Sequence, residues 1–278
     1  MKVLKLLSTG AVVVLTAAFF SAPVAAQTTW NFGDSGNCDI TGNTATLNCT
    51  VGNANNTLRA EGFAASTTAG ARYVRGTLSN QGGSGMGFTA PGESTGAPQH
   101  AFDNNGSHEL LLLNFGFNRV VVTGVTTGWS QQDTDVSLLR WNGAASGPTM
   151  TNTANFATSS LLAAGWVLVG SADLDGQVNG HNTFNNRTYN TGIAATTVNS
   201  SSWWIISSYF GANSGHLDHG NDYFKLLSVS TACVGNTGGG ACNTDPNRNS
   251  QVPEPGSLAL VALALVGIAA TRRRRTVA

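Results

Sequence analysis

Short runs of β-branched, aromatic and aliphatic residues, each bounded by glycine or asparagine, recur along most of the chain and favour strands over helices. The runs begin at Ala71, His108, Asn118, Asp135, Gly165, Ser201 and Asp222. Glycine and asparagine tolerate the left-handed backbone conformations that tight connections between strands need. Only the segment TSSLLAAG, which ends at Gly165, has the glycine stop and apolar spacing of a short helix. The pattern predicts an all-β fold, an antiparallel β-sandwich that is jelly-roll-like.

The run from Asn118 further predicts a strand that is covered on two sides. Alternate residues from Val121 to Trp129 fall on one face of such a strand, and Val120 and Val122 begin the other face. Both faces start with apolar residues, so we expect both to be buried at this end of the strand.

Residues 1–26 have the order of a secretory signal peptide. Lys2 and Lys5 precede an apolar run from Ala11 to Phe20, and small residues then lead to a cleavage position before Gln27. An uncleaved membrane anchor is the alternative. The sequence therefore predicts an exported protein.

Residues 252–278 begin with a proline-flanked glutamate and end in a basic cluster. The uncharged run from Ser257 to Ala270 is rich in leucine, alanine and valine, and such a run in a helix partitions into hydrocarbon. Four arginines follow it: Arg272, Arg273, Arg274 and Arg275. Since basic residues stay on the cytoplasmic side, the segment predicts a single C-terminal transmembrane helix in membrane lipid, with the arginines as a membrane stop. The run is shorter than the roughly 20 residues of a full span, so a buried core helix is the alternative.

Between these ends, residues 27–233 are expected to form the extracytoplasmic β-sandwich and residues 234–251 a flexible stalk. The stalk segment is rich in glycine and asparagine and lacks an apolar period. Six of the 14 basic residues lie in the two end segments, which leaves the remaining chain net negative. Nucleic-acid binding, which normally uses a basic patch, is not expected.

The four cysteines fall into two close pairs, and an oxidising compartment favours disulfides. They are Cys38, Cys49, Cys233 and Cys242. Four cysteines allow three pairings, of which local pairing is the simplest. In that pairing Cys38 and Cys49 close a hairpin centred on Gly42. A zinc site is disfavoured because no C-x-x-C spacing is present.

Aspartates and asparagines cluster in several loops and make calcium the candidate cofactor. Calcium takes six to eight oxygen ligands, which carboxylates, amides and backbone carbonyls supply. The candidate ligands are Asp103, Asp133, Asp135, Asp218 and Asp222. The same residues are ordinary turn formers, so each loop is open to that simpler interpretation. A transition metal on His216 and His219 is a weaker alternative, since no H-E-x-x-H helix is present.

Catalytic motifs are weak, and we do not expect an enzyme. The segment from Gly92 to Gly96 matches G-x-S-x-G, but its proline flanks favour a loop over the strand and helix that a serine-hydrolase elbow needs. Asp133 and Asp135 fall on one face of a strand, and a glycosidase needs two carboxylates across a cleft. Their closeness in sequence alone makes a secreted hydrolase the last alternative.

Trp203 and Trp204 are the candidates for stacking on a glycan. Adjacent residues of a strand point to opposite faces, so one of the two can be exposed while the other is buried. The remaining tryptophans are expected mainly in sheet interiors. A calcium-assisted polysaccharide-binding module is therefore an alternative function.

The C-terminal segment resembles a PEP-CTERM sorting signal through Pro253, Glu254 and Pro255, the apolar run and the arginines. The resemblance implies exosortase, a membrane-embedded cysteine transpeptidase, as the partner that processes the tail near this sorting motif. It also implies a transient anchor in the inner membrane and then the cell envelope surface or the extracellular space. Export of exopolysaccharide is typical of bacteria with such proteins, which makes exopolysaccharide a candidate ligand.

A second resemblance covers roughly residues 99–230. The segments HAFDNNG, DTDVSLLRWNG, AAGWVLVG and DYFKLLSVS, with the Gly-Trp pair at 128–129, are similar to a group of exosortase-dependent surface proteins. It implies a destination without a reaction. The function predicted from the sequence is thus a non-enzymatic, exported cell-surface or extracellular-matrix protein.

Overall fold

Two antiparallel sheets make up most of the structure, which confirms the all-β prediction. The computed structural model describes residues 27–236, apart from 35, 39, 53–55, 67–71, 95–99, 145, 151–157, 176–182, 211–216 and 218–219. These residues belong to one compact unit that spans residues 25–249.

The elements follow one another in short steps. The first strands are β1 (Gln27–Asn31), β2 (Asn43–Thr44), β3 (Leu47–Thr50), β4 (Thr57–Ser66), β5 (Val74–Arg75), β6 (Thr77–Asn80), β7 (Met86–Thr89) and β8 (Phe102–Asp103). The later elements are β9 (Ser107–Asn114), β10 (Asn118–Gln132), β11 (Asp135–Trp141), α1 (Thr158–Ala164), β12 (Trp166–Asp173), β13 (Thr183–Asn190), β14 (Trp203–Ser208) and β15 (Asp222–Asn236). The short helix predicted before Gly165 is confirmed as α1.

Sheet A has eight strands, in the order β13-β10-β15-β7-β6-β2, with β1 and β8 also paired to β15. Sheet B has seven strands, in the order β12-β11-β14-β9-β4-β3, with β5 paired to β4. The long strands β10 and β15 are paired along nearly their whole length and form the centre of sheet A.

The main hydrophobic core lies between the sheets, and a second cluster covers the other face of sheet B. Strand β9 shows both layers: Leu111 and Leu113 join the main core, whereas Leu110 and Leu112 pack in the second cluster. Leu161 of α1 belongs to this second cluster. Because both faces of β9 are covered, its four consecutive leucines are all buried, as a doubly covered strand requires.

Strand β10 is buried on both faces at its start, as predicted, but its later residues do not alternate as expected. Val120, Val121 and Val122 are all buried. The pairing with β15 shifts register between Val122 and Gly124 and again between Thr127 and Trp129. Val122 and Val125 therefore share the main core, and the prediction of one face from Val121 to Trp129 is wrong. A β-bulge at such a register shift adds one residue to a strand, so that the residues beyond it point to the opposite face from the one that simple alternation predicts.

A disulfide joins Cys38 to Cys49, which confirms the local pairing for these two cysteines. The segment between them is not a hairpin, because β2 pairs with β6 in sheet A whereas β3 pairs with β4 in sheet B. The disulfide thus closes a loop that crosses between the sheets. Cys233 is also disulfide-bonded, and Cys242 lies outside the described residues.

The ends of the chain lie outside the described residues, and these include residues 1–26, most of the predicted stalk and the whole segment 252–278. Strand β15 continues to Asn236, so the first three residues assigned to the stalk are part of sheet A. Within the described residues, no helix has the length and apolar character to cross a bilayer.

Candidate functional site

Three aspartates meet where the chain passes from sheet A to sheet B. Asp133 follows the end of β10, Asp135 is the first residue of β11, and Asp222 is the first residue of β15. One carboxylate oxygen from each lies within 4.8 Å of the other two. Asp133 and Asp135 therefore lie on either side of a sheet crossover, and the prediction that they share one strand is wrong. We call these three residues the aspartate cluster.

Hydrogen bonds fix the carboxylate of Asp222 within this cluster. Its Oδ1 accepts from the backbone N–H of Asp135 at 2.7 Å, and its Oδ2 accepts from the backbone N–H of Tyr209 at 2.8 Å. The side-chain amide of Asn104 donates to Oδ2 at 2.7 Å and accepts from the backbone N–H of Asp222 at 2.8 Å. The charge of Asp222 is thus satisfied by donors from both sheets.

Asp135 is in the opposite situation. Its side chain is 0% exposed, and neither carboxylate oxygen has a hydrogen-bond partner among the described residues. Burial, and after it the charges of the neighbouring acids Asp222, Asp133, Asp173 and Asp175, raise the pKa of Asp135 to about 9. An ionised carboxylate without hydrogen bonds is unfavourable in a protein interior, because water no longer solvates it. The cluster therefore needs a positive charge or a proton.

Asp103, another of the candidate calcium ligands, lies outside the aspartate cluster. It lies with Glu93 and Glu109 in a second acidic group, again with oxygens within 4.8 Å of one another. Asp103 Oδ1 accepts from the N–H of Asn105, and Glu109 Oε2 accepts from the N–H of Asp103. Asn104 lies between the two groups, because its neighbour Asp103 is in the second group and its own amide contacts Asp222.

The second acidic group is also strained electrostatically. The pKa of Asp103 is raised to about 7, chiefly by burial; the hydrogen bond from the N–H of Asn105 lowers this pKa and the charge of Glu93 raises it. Burial raises the pKa of Glu109 well above its usual range, and the charges of Asp103 and Glu93 act in the same direction. One feature of the sequence distinguishes Glu109: it is a charged residue beside the apolar run of four leucines in HELLLL.

The other predicted ligands lie outside the described residues. These are Asp218 and the two histidines of the weaker alternative, His216 and His219. Asp173 ends β12, beside the start of β11, and its Oδ1 accepts from the N–H of Asp175 at 3.0 Å. These two acids extend the negative charge around Asp135.

A cleft of about 640 Å³ lies at the end of sheet B, next to α1. Trp141 and Trp166 form its aromatic part, with ring centroids 5.4 Å apart in an edge-to-face arrangement. The rest of the lining is small or hydroxylated: Ala144, Ser146, Gly147, Pro148, Thr149, Ser160, Ala163 and Ala164. Indole Nε1 of Trp141 donates to the carbonyl of Ala144 at 2.8 Å. The described part of the lining is therefore aromatic and polar, with no charged side chain.

The adjacent tryptophans of β14 point to opposite faces, as their alternation predicts. Trp204 is fully buried in the main core, and its Nε1 lies 3.2 Å from the carbonyls of Val120 and Ser201. Its ring therefore presents no surface to a sugar. Trp203 is partly buried beside the second cluster, and its ring packs so closely on Gly147 that a Cβ there would lie 2.6 Å from it. Trp141, which was expected in a sheet interior, is likewise partly buried, and its ring lines the cleft beside α1.

Comparison with known families identifies the C-terminal end of the chain. Residues 251–275 match the family model of the PEP-CTERM protein-sorting motif. The chain carries a PEP-CTERM sorting signal. The signal marks this PEP-CTERM protein as an exported target of exosortase with a cell-surface or extracellular destination. No curated protein and no solved structure matches the chain.

Proposed function

We propose that this PEP-CTERM protein is a non-enzymatic component of the cell surface or extracellular matrix. In this role exosortase processes the tail and leaves the β-sandwich as the mature product, after a transient stay of the C-terminal segment in the inner membrane. The observation that carries the proposal is the match of residues 251–275 to the sorting motif. The tail residues are then a substrate of another enzyme.

The arrangement of acids in the β-sandwich supports a role without catalysis. Asp133, Asp135 and Asp222 are each at most 4% exposed, so a substrate has little access to their carboxylates. The described residues that line the cleft beside Trp141 include no carboxylate, histidine or cysteine. A glycosidase requires two carboxylates on either side of an accessible bond, and these features favour a passive surface protein over that alternative.

The tail is tested by following the mature mass and location of the protein in an exosortase-bearing bacterium and in its exosortase-null derivative. The variants are a deletion of residues 252–278 and the triple change Pro253→Ala, Glu254→Ala, Pro255→Ala. We expect the parent chain to lose its C-terminal segment only where exosortase is present, and the triple variant to retain it in both strains. The matched control is Pro246→Ala, which should be processed normally. Equal processing in both strains would contradict the proposal.

A second candidate function is binding of a neutral polysaccharide in the cleft beside α1. Aromatic rings stack on the apolar faces of sugars, and the hydroxyls of Ser146, Thr149 and Ser160 can bond to their polar edges. The half-buried ring of Trp141 provides the aromatic surface. None of the lining residues that the structure describes is charged, which favours uncharged glycans over acidic ones.

This candidate is tested on a glycan array, with titration of each hit by tryptophan fluorescence in calcium and in EGTA. Trp141→Ala should weaken binding by about tenfold, as expected for loss of one stacking ring. Trp129→Ala is the matched control, because that ring lies in sheet A beneath Lys225 at 4.7 Å. Absence of binding by the parent chain, or equal binding by both variants, would remove this candidate.

A further inference from the structure

The aspartate cluster lies at the direct turn between β10 of sheet A and β11 of sheet B. The chain crosses between the sheets in two residues, and Asp133 is joined to Asp222 by an isolated parallel bridge. The N–H of Tyr223 donates to the carbonyl of Asp133 at 3.2 Å, and the N–H of Leu174 donates to that of Thr134 at 2.9 Å. The backbone that carries the three carboxylates is thus held by strands from both sheets.

The hydrogen bonds of the cluster are distributed unequally. The carboxylate of Asp222 accepts hydrogen bonds from the side-chain amide of Asn104 and from the backbone N–H groups of Asp135 and Tyr209. Both oxygens of Asp135 are buried and have no hydrogen-bond partner among the described residues, and one of them lies within 4.8 Å of a carboxylate oxygen of Asp133 and of Asp222. The hydroxyl of Thr134, between the first two aspartates, is likewise buried without one. Buried polar atoms are nearly always satisfied, so the unsatisfied oxygens of Asp135 point to a bound ligand.

We propose that the aspartate cluster binds one Ca²⁺ ion that fastens sheet A to sheet B. The ion would be bound by carboxylate oxygens of Asp133 and Asp135 together with Asp222, whose oxygens are already oriented by Asn104 and Tyr209. This inference goes beyond the proposed surface role and does not depend on the tail.

The chemistry of the donors favours calcium over other metals. All three side chains offer hard oxygen ligands, and no histidine or cysteine is part of the described cluster. Such ligands suit calcium and magnesium rather than zinc or copper. Calcium accepts six to eight oxygens in irregular geometry, whereas magnesium requires a near-ideal octahedron and retains several waters. The buried position of the cluster and the additional acids Asp173 and Asp175 are better suited to the larger, more easily dehydrated ion.

The test uses the full-length chain, purified in a mild detergent, so that its result is independent of export and tail processing. After removal of metals with EGTA, thermal unfolding is followed with and without CaCl₂, and Ca²⁺ binding is titrated calorimetrically. We expect one Ca²⁺ per chain and a calcium-dependent rise in Tm, because an ion that binds only the folded state stabilises it. The matched variants are Asp135→Asn in the cluster, Glu109→Gln in the second acidic group and Asp34→Asn on the surface.

Asp135→Asn should weaken Ca²⁺ binding by at least about tenfold and remove the rise in Tm, whereas Glu109→Gln and Asp34→Asn should retain both. In EGTA, Asp135→Asn should melt no lower than the parent chain, since it removes a buried charge while keeping the side-chain shape. This second measurement separates loss of the ion from failure to fold. No effect of calcium on the parent chain, a calcium response retained in Asp135→Asn, or an equal response to MgCl₂ would overturn the proposal.

Discussion

The carboxylate of Asp222 in sheet A binds the first residue of β11 in sheet B, since its Oδ1 accepts a 2.7 Å hydrogen bond from the backbone N–H of Asp135. The two residues open β15 in sheet A and β11 in sheet B. The same carboxylate also accepts from the N–H of Tyr209 at the end of β14. A single side chain thus connects the ends of three strands, and the geometry of the aspartate cluster depends on it.

Asp222→Ala should therefore lower the free energy of unfolding even without metal. It leaves the buried N–H groups of Asp135 and Tyr209 and the amide of Asn104 without their acceptor, and each unsatisfied buried group costs about 1–3 kcal/mol. We expect a loss of at least about 3 kcal/mol in urea unfolding at pH 7 in EGTA. Asp34→Ala, on the surface, should change the value by less than about 0.5 kcal/mol. Equal effects of the two substitutions would show that Asp222 has no such role.

His108 should make the fold sensitive to acid. Its Nε2–H donates to the carbonyl of Tyr209 at 2.7 Å, and its ring packs edge-on against Phe210. Burial lowers the pKa of His108 from 6.5 to about 4, so the folded state holds it neutral while the unfolded state takes up a proton near pH 6.5. The contribution of neutral His108 to the free energy of unfolding is complete above pH 6.5. It is lost as the pH falls towards 4, by about 3 kcal/mol in all.

The measurement is urea unfolding of the parent chain and His108→Gln at several pH values between 7.5 and 4. Glutamine keeps an N–H donor for the carbonyl of Tyr209 but does not titrate. The difference in stability between the two proteins should shift in favour of the variant as the pH falls through this window. A constant difference would mean that His108 is protonated equally in both states.

Glu109 should have the opposite pH dependence. Its pKa is raised in the folded state, chiefly by burial and then by Asp103 and Glu93. Below the usual pKa of 4.5, Glu109 is protonated in both the folded and the unfolded state and does not change the free energy of unfolding. At higher pH the carboxyl ionises more easily in the unfolded state, so the unfolded state is favoured. Glu109→Gln keeps an oxygen acceptor for the N–H of Asp103 and should raise Tm at pH 8 in EGTA, by about 2–4 °C for each kcal/mol relieved. At pH 4 the variant should melt with the parent chain; a gain at pH 4 equal to that at pH 8 would exclude an electrostatic origin.

Local patterns in the sequence predicted most strands but not the partners of those strands. The run HELLLLNF is apolar enough to predict β9, and TSSLLAAG ends in a glycine at positive φ that stops α1. The run ARYVRGTL, however, divides at Gly76 into β5 in sheet B and β6 in sheet A. Sheet membership depends on pairing between distant residues, which short-range periodicity does not contain.

The candidate site shows the same limit. Asp133 and Asp135 are neighbours in sequence, but Asp222 joins them from 87 residues beyond Asp135 through the pairing of β10 with β15. The separation of Asp103 into a second group follows from its pairing with Tyr223, which directs it towards Glu109. The acidic loops could be recognised in the sequence as possible ligands, whereas their division into two groups required the sheet topology.

The Cys38–Cys49 disulfide should stabilise the crossover between β2 and β3. Its loop is short, with a sequence separation of 11, so the chain-entropy model gives about 3 kcal/mol for its closure. We expect the double variant Cys38→Ala, Cys49→Ala to lose about this amount in urea unfolding under oxidising conditions. Under reducing conditions the parent chain should approach the variant. An unchanged stability of the variant would show that the loop is already fixed by its strand pairing.

Phe88 of β7 in sheet A fits against two glycines and should not tolerate a side chain at either. A Cβ added at Gly62 in β4, or at Gly76, would collide with the ring of Phe88. The N–H of Gly76 donates to the carbonyl of Gly62 at 3.1 Å, so the two backbones cannot separate without losing this bond. Gly62→Ala should therefore cost about 1–3 kcal/mol through overpacking, whereas Gly83→Ala, with no atom within 4 Å, should have little effect.

Phe88→Leu alone should also destabilise, but Gly62→Ala should cost less in that background, because the smaller side chain leaves room for the methyl group. A double-mutant cycle in urea measures this coupling, and strictly additive effects would mean that Gly62 is required for a reason other than the ring of Phe88.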